Sequence, residues 1–281
     1  MNTGDRVKHQ SAPDWGVGQV LEPPNGGKVK IFFTNAGLKL LTVSAPLEPV
    51  QGEEASDPVL DNLPVDPKRL EAYETLADLK KRFLRNFPGG FRGSLYQEKE
   101  RNYKIEAHQL AKTLFKRAGF ERAIASNSHE EICGKAIRVL QATNLVFPNE
   151  KIKFVSGLKS RSSQTKFARS LYDLLFDKDQ LEARFVHFCQ ALGEIDAEKW
   201  TLATYFLFIF SPEEYMFMKP LVTQRAAEIC AFELNYSPQP NWLTYRKVLM
   251  FAQHLKDELK ELAPRDMIDV QSFIWCTGER P

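Results

Sequence analysis

The rhythm of hydrophobic and polar positions changes once along the 281-residue chain. Up to about residue 50, apolar residues come in short runs with a period near two, separated by turn-forming residues. Arg6-Val7-Lys8-His9 is the first run and Gly16-Val17-Gly18-Gln19-Val20-Leu21 the second. Pro23-Pro24-Asn25-Gly26-Gly27 then predicts a tight reversal, because Asn-Gly tolerates the positive φ of hairpin turns. Lys28-Val29-Lys30-Ile31-Phe32-Phe33 alternates until its last two residues, and Asn35-Ala36-Gly37 turns the chain into Leu38-Lys39-Leu40-Leu41-Thr42-Val43. Four or five short strands without a helical period predict a small barrel, curled to bury one face of each strand.

Residues 51–67 break this rhythm. They hold Pro58, Pro64 and Pro67 together with Glu53, Glu54, Asp57, Asp61 and Asp66, and no base. That composition predicts an extended acidic linker. Beyond it the period becomes 3.6. Leu70, Tyr73, Leu76, Ala77, Phe83, Leu84 and Phe87 share one helical face up to Pro88-Gly89-Gly90. Ile105, Leu110, Ala111, Leu114 and Phe115 predict a second helix stopping near Gly119, and Ile132, Ala136, Ile137, Leu140 and Leu145 a third. Further helices are expected over about 165–176, 179–192, 197–210, 222–234, 241–262 and 266–275. No alternation of strand and helix suggests a parallel sheet. The fold class expected is α+β, with a barrel over 1–50, a linker over 51–67 and a mostly α-helical domain over 68–281.

Composition and charge refine this picture. Twenty Phe, eight Tyr and four Trp exclude global disorder. Leu202–Phe210 is almost wholly apolar but too short to span a bilayer, so it is read as the buried centre of the helical domain. Met1–Arg6 lacks a basic start followed by an apolar core, so no secretory signal and a cytoplasmic location are expected. The net charge of +2 favours no partner class, but its distribution is uneven. Lys80–Arg122 holds twelve Lys/Arg against four Glu, and Lys151–Arg169 holds six with no acid. Such blocks attract polyanions where they fold onto one face, and are solvated helix faces where they do not.

The candidate chemistry is binding chemistry. Gly157–Lys166 precedes an amphipathic helix. Lys159, Arg161, Lys166 and Arg169 are suited to phosphates there, with Ser162 as a hydrogen-bond donor near the helix start. The plainer reading of the same stretch is a polar loop ending in a Ser or Thr N-cap. The Gly-rich run 87–94 leads to Arg92, Arg101 and Lys104, further candidates for nucleic-acid contact. It lacks the Gly-Lys-Ser/Thr ending of a phosphate-binding loop. Five scattered histidines and four cysteines without a C-x-x-C pair give no metal-site spacing, and no cofactor motif is present. Cys133, Cys189, Cys230 and Cys276 sit in apolar settings and are expected as free thiols.

One stretch resembles a known family. Gly4, Arg6-Val7-Lys8-His9, Trp15-Gly16-Val17-Gly18-Gln19-Val20, Gly26-Gly27-Lys28-Val29, Phe32-Phe33, Asn35-Ala36-Gly37 and Lys39 follow the pattern of a small bacterial Tudor-like, SH3-like domain family of unknown function. Similar modules occur at the C-termini of UvrD/PcrA-type helicases and in CarD-like transcription factors, where they contact RNA polymerase. The resemblance therefore implies a protein partner in transcription or DNA repair. It points to Arg6, Lys8, Trp15, Lys28, Lys30 and Lys39 as the partner-binding surface. Trp15, Phe32 and Phe33 are also the rings available for a cation cage, although Phe at alternating strand positions more often packs in a core. Near the other end, the run Pro264–Trp275 is similar to segments that close helical domains in restriction- and defence-associated bacterial proteins.

Two functional readings follow. The first is a non-catalytic interaction protein whose barrel docks on a transcription or DNA-repair partner and whose helical domain contacts nucleic acid or a second protein. The second is a nucleic-acid-processing or phage-defence enzyme with a site built from residues 87–104 and 157–169. An enzyme should gather two acids, or an acid and a histidine, in one concave pocket.

Overall fold

The computed structural model describes residues 1–278. The chain divides into two compact units. One comprises Met1–Asn86, Gln224–Leu234 and the residues from Thr277; the other comprises Phe87–Thr223 and Asn235–Cys276.

The first unit is built on one antiparallel sheet. Its strands are β1 (Arg6–His9), β2 (Val17–Asn25), β3 (Lys28–Phe33), β4 (Gly37–Thr42) and β5 (Leu47–Pro49), in the order β4-β3-β2-β1-β5. Asn25 pairs with Lys28 across Gly26 and Gly27, whose φ of +56° and +74° make the expected two-residue reversal. β2 runs on through Pro23 and Pro24, beyond the alternating pattern. The register slips on both sides of Glu22 there, which accommodates residues that have no N–H to donate.

Both sheet faces are used. Val7, Val20, Val29, Ile31 and Phe33 form one core, closed by Trp15, Leu41 and Leu47. Phe32 points the other way and is buried with Val59, Leu60, Leu70 and Ala231. The Tyr73 ring stands edge-on to Phe32 at 4.9 Å, and its hydroxyl donates to the Thr34 carbonyl. The Phe32-Phe33 pair thus marks a strand buried on both sides. Gly37, at φ +69°, lies so close to Tyr73 that a Cβ would stand 2.8 Å from the ring.

Residues 51–67, expected as an extended linker, carry 3-10 turns at Gly52–Ala55 and Leu60–Asn62 and bury Val59 and Leu60 against the sheet. Their acids organise backbone. Asp57 accepts from the Val59 and Leu60 amides at 2.8 and 3.0 Å, and Asp66 accepts from the Lys68 amide at 3.0 Å. Leu70 and Tyr73, expected on a helix, belong to this covering layer, and α1 spans only Leu76–Asn86. Cys230, also in this unit, is buried, which pushes its thiol up to about 12.

The second unit is helical. Its elements are α2 (Ser94–Tyr96), α3 (Asn102–Leu114), α4 (Arg117–Ala125), α5 (His129–Gln141), α6 (Pro148–Gly157), α7 (Arg161–Phe176), α8 (Leu181–Gly193), α9 (Trp200–Phe210), the start of α10 (Pro220–Ile229), α11 (Trp242–Glu258) and nearly all of α12 (Met267–Gly278). The helix expected to stop near Gly119 ends earlier, at Leu114, and Gly119 lies inside α4. α9 is the expected buried centre: every residue from Trp200 to Ile209 is buried, and α3, α7 and α8 pack on it. The rings of Phe115, Phe154, Phe167 and Phe188 lie 6.1–6.3 Å from that of Phe206. No helix among the described residues is long and apolar enough to cross a membrane.

The covering layer makes a stability prediction. Leu60→Ala opens a cavity against Phe32 and should cost about 2–5 kcal/mol. Hydrogen exchange of the β3 amides, measured on the full chain, should quicken accordingly.

Candidate functional site

Three places hold the residues singled out from the sequence. In the helical unit, the segment after the Gly-rich run forms a π-helical turn over Gln97–Arg101, continuous with α2 and α3. Such turns point side chains where a regular helix would not. Arg101 is 7% exposed and Lys104 0% exposed. The Arg101 guanidinium grips Asp266 with two bonds of 2.8 and 2.6 Å and reaches Asp269 at 2.8 Å. Asp269 also accepts from the Tyr96 hydroxyl at 2.6 Å and from the Arg265 amide at 2.8 Å and guanidinium at 3.0 Å. Lys104 donates to Glu100 at 3.0 Å and to Ser272 at 2.9 Å. Burial alone pushes the Asp269 carboxyl up. The Arg265 and Tyr96 hydrogen bonds and the Arg101 charge outweigh it and hold the group below its usual 3.8. Burial depresses the Lys104 ammonium, against the pull of Glu100. Arg101 and Lys104, expected at a nucleic-acid surface, therefore spend their charge inside the unit. Arg92 alone of that trio is exposed.

The sheet unit places the expected partner-binding residues on its surface, with their charges in different states. Arg6 pairs with Asp61 at 2.6 Å and Lys8 with Glu54 at 3.0 Å, both acids of the 51–67 layer. Lys30 lies 3.7 Å from Glu22. Lys28 is exposed and makes no ion pair among the described residues. Trp15 sits in a 3-10 turn before β2, half-buried between His9 at 4.9 Å and Phe33 at 5.2 Å, with the Lys39 ammonium 5.2 Å from its ring centroid. Phe32 and Phe33 are fully buried, so these three rings form no cage.

The third place is an open cleft of about 760 Å³ between α4, α7 and α8. Ser160 caps α7, accepting from the Ser163 amide at 3.0 Å as the plainer sequence reading expected. Lys159, Arg161, Ser162, Lys166 and Arg169 are all exposed. Lys166 and Arg169 line the cleft together with Glu121, Tyr172, Asp173, His187, Gln190 and Glu194. Lys166 pairs with Glu194 at 2.6 Å and Asp173 with His187 at 3.3 Å. Burial raises the Asp173 carboxyl, the neighbouring His187 opposes this, and Asp177 adds to it. The Tyr172 hydroxyl donates to Glu121 at 2.8 Å, and Arg117 holds the same carboxylate at 3.0 Å. Lys159, Arg161 and Arg169 make no ion pair among the described residues. Sequence reasoning missed Asp173, His187, Tyr172 and Gln190. The signal was there in the spacing: both cleft pairs recur seven residues apart, along α7 and along α8 with its C-cap Glu194, which is two turns of an antiparallel helix pair.

The segments 87–104 and 157–169, expected to share a site, have different partners. The first engages residues 265–272 and the second engages α8.

Residues 1–49 match one family model, described as a protein of unknown function (DUF3553). The match spans less than a fifth of the chain. No curated protein and no solved structure matches the chain.

The buried network yields a pH prediction with a definite sign. Because Asp269 titrates lower in the folded chain than its usual 3.8, it contributes stability above that value, which is lost as pH falls through the folded pKa. Asp269→Asn removes the buried carboxylate that Arg101 and Arg265 share, leaving Arg101 with Asp266 alone, and should cost about 3–5 kcal/mol at neutral pH. Urea titrations of both chains should show this gap narrowing below pH 3.8.

Proposed function

We propose that this is an interaction protein. Its sheet unit docks on a transcription or DNA-repair partner, with RNA polymerase the first candidate. Its helical unit contacts nucleic acid through the start of α7. A five-stranded antiparallel sheet of short strands with an inner core supports the SH3/Tudor-like barrel reading of the first unit. The half-buried Trp15 under Lys39 supplies an aromatic anchor of the kind favoured at interface centres.

The observation that carries the proposal is a contrast in pairing. Arg6, Lys8, Lys30, Arg101, Lys104 and Lys166 are answered by carboxylates, whereas Lys159, just before α7, and Arg161 and Arg169 on it stand exposed without an ion pair among the described residues. Free cations of this kind release counterions when they meet phosphates.

A second reading rests on its own observation. The Asp173–His187 pair in a concave cleft is the acid-and-histidine arrangement expected of an enzyme. It favours acid–base chemistry on the nucleic acid held beside it.

Both surfaces are testable. Trp15→Ala combined with Lys30→Glu should abolish capture of purified RNA polymerase while far-ultraviolet circular dichroism stays unchanged. Retained capture would remove this surface from the proposal. Binding of labelled nucleic acid should weaken steeply with salt, by a slope of about 0.7–0.9 per phosphate contact. Lys159→Glu, Arg161→Glu and Lys166→Glu together should eliminate it. Cleavage products that disappear in His187→Ala would decide for the enzyme.

A further inference from the structure

α7 carries Arg161 at its start, and Lys166 and Arg169 where it lines the cleft. Arg161 and Arg169 fall eight residues apart, about 12 Å from each other along the axis and about 80° apart around it. With Lys159 they are exposed and unpaired. Within the cleft, which Arg169 itself lines, the carboxylates are matched. Each of its carboxylates is already engaged: Glu194 by Lys166, Asp173 by His187, and Glu121 by Arg117 and Tyr172. A group of phosphates gains little in a cavity so balanced and meets three carboxylates on entry. A flat, uncharged ring with hydrogen-bonding edges gains more.

The lining suits such a ring. Ile124, Ala125 and Ala191 supply an apolar floor, the Tyr172 ring an aromatic wall, and Gln190 an amide able both to donate and to accept. The bond from Tyr172 to Glu121 fixes the wall before any ligand arrives, which lowers the ordering cost of binding. An amide that both donates and accepts is a group that reads the amino and carbonyl edges of nucleobases. In a duplex those edges are paired and recessed, so a base reaches a concave site only when it is unpaired.

Resting on the reading that the helical unit contacts nucleic acid, we propose that it selects single strands. The exposed cations of α7 hold the phosphates, and the α4/α7/α8 cleft takes an unpaired base against Tyr172 and Gln190.

The test uses the full chain and fluorescence anisotropy, with a short labelled oligonucleotide presented single-stranded and as a duplex. Affinity for the single strand should exceed that for the duplex by about tenfold or more, as base stacking on one aromatic ring allows. Tyr172→Ala and Gln190→Ala should each weaken single-strand binding by up to about tenfold and leave duplex binding alone. Tyr172→Phe, which keeps the ring, should retain most of it. Gln190 is exposed, so its truncation leaves the fold intact and stands as evidence even if Tyr172→Ala unfolds. Arg161→Glu with Arg169→Glu should weaken both forms. Equal affinity for the two forms, with Gln190→Ala silent, would overturn the base-binding cleft while leaving nucleic-acid contact standing. No binding of either form at low salt would overturn both.

Discussion

A carboxylate shut away from water must be answered by cations and donors, and Asp269 is answered by Arg101, Arg265 and the Tyr96 hydroxyl. That requirement ties the turn over 96–104 to residues 265–272, far along the chain. The π-helical turn is the local adjustment that brings Arg101 to the acids. Arg265 extends the network to the Phe91 carbonyl at 2.9 Å, so even the Gly-rich approach is fixed by it. An ion cluster of this sort contributes modestly to net stability, because desolvation offsets much of the attraction.

The patterns legible in the sequence were those set by local repetition. Period-two runs located the strands, period-3.6 runs located most helices, and the apolar run before Ser211 identified the buried α9. What stayed hidden depended on partners distant in sequence. Arg101 and Lys104 carry the same charge as exposed cations, and only residues some 165 positions away put them inside. The acidic prolines of 51–67 read as solvated because their composition is polar. Two apolar residues, Val59 and Leu60, outweighed that average by finding the second face of β3. The broken alternation at Phe32-Phe33 was the visible sign that such a layer existed.

Electrostatic pairing sorts the surface more finely than charge counts do. On the sheet, Arg6 and Lys8 are quenched by the layer that follows them in sequence, whereas Lys28 and the Lys39–Trp15 stack lie outside these ion pairs. On α7, Arg161 stands exposed and Arg169 lines a cleft whose carboxylates are matched. In the proposed reading, phosphate contacts position a nucleic acid and concave side chains discriminate among what it presents.

Ala231 completes the seat of Phe32, and the Glu233 amide donates to the Asn62 carbonyl at 2.7 Å. The first unit is therefore stitched from segments made early and late in synthesis. At about 5–20 residues per second, some 10–40 s separate the appearance of Phe32 from that of Ala231 on the ribosome. Throughout that interval the nascent sheet lacks part of its second cover. During translation this region depends on the speed of the ribosome and on whatever shields exposed aromatic surface in the cell.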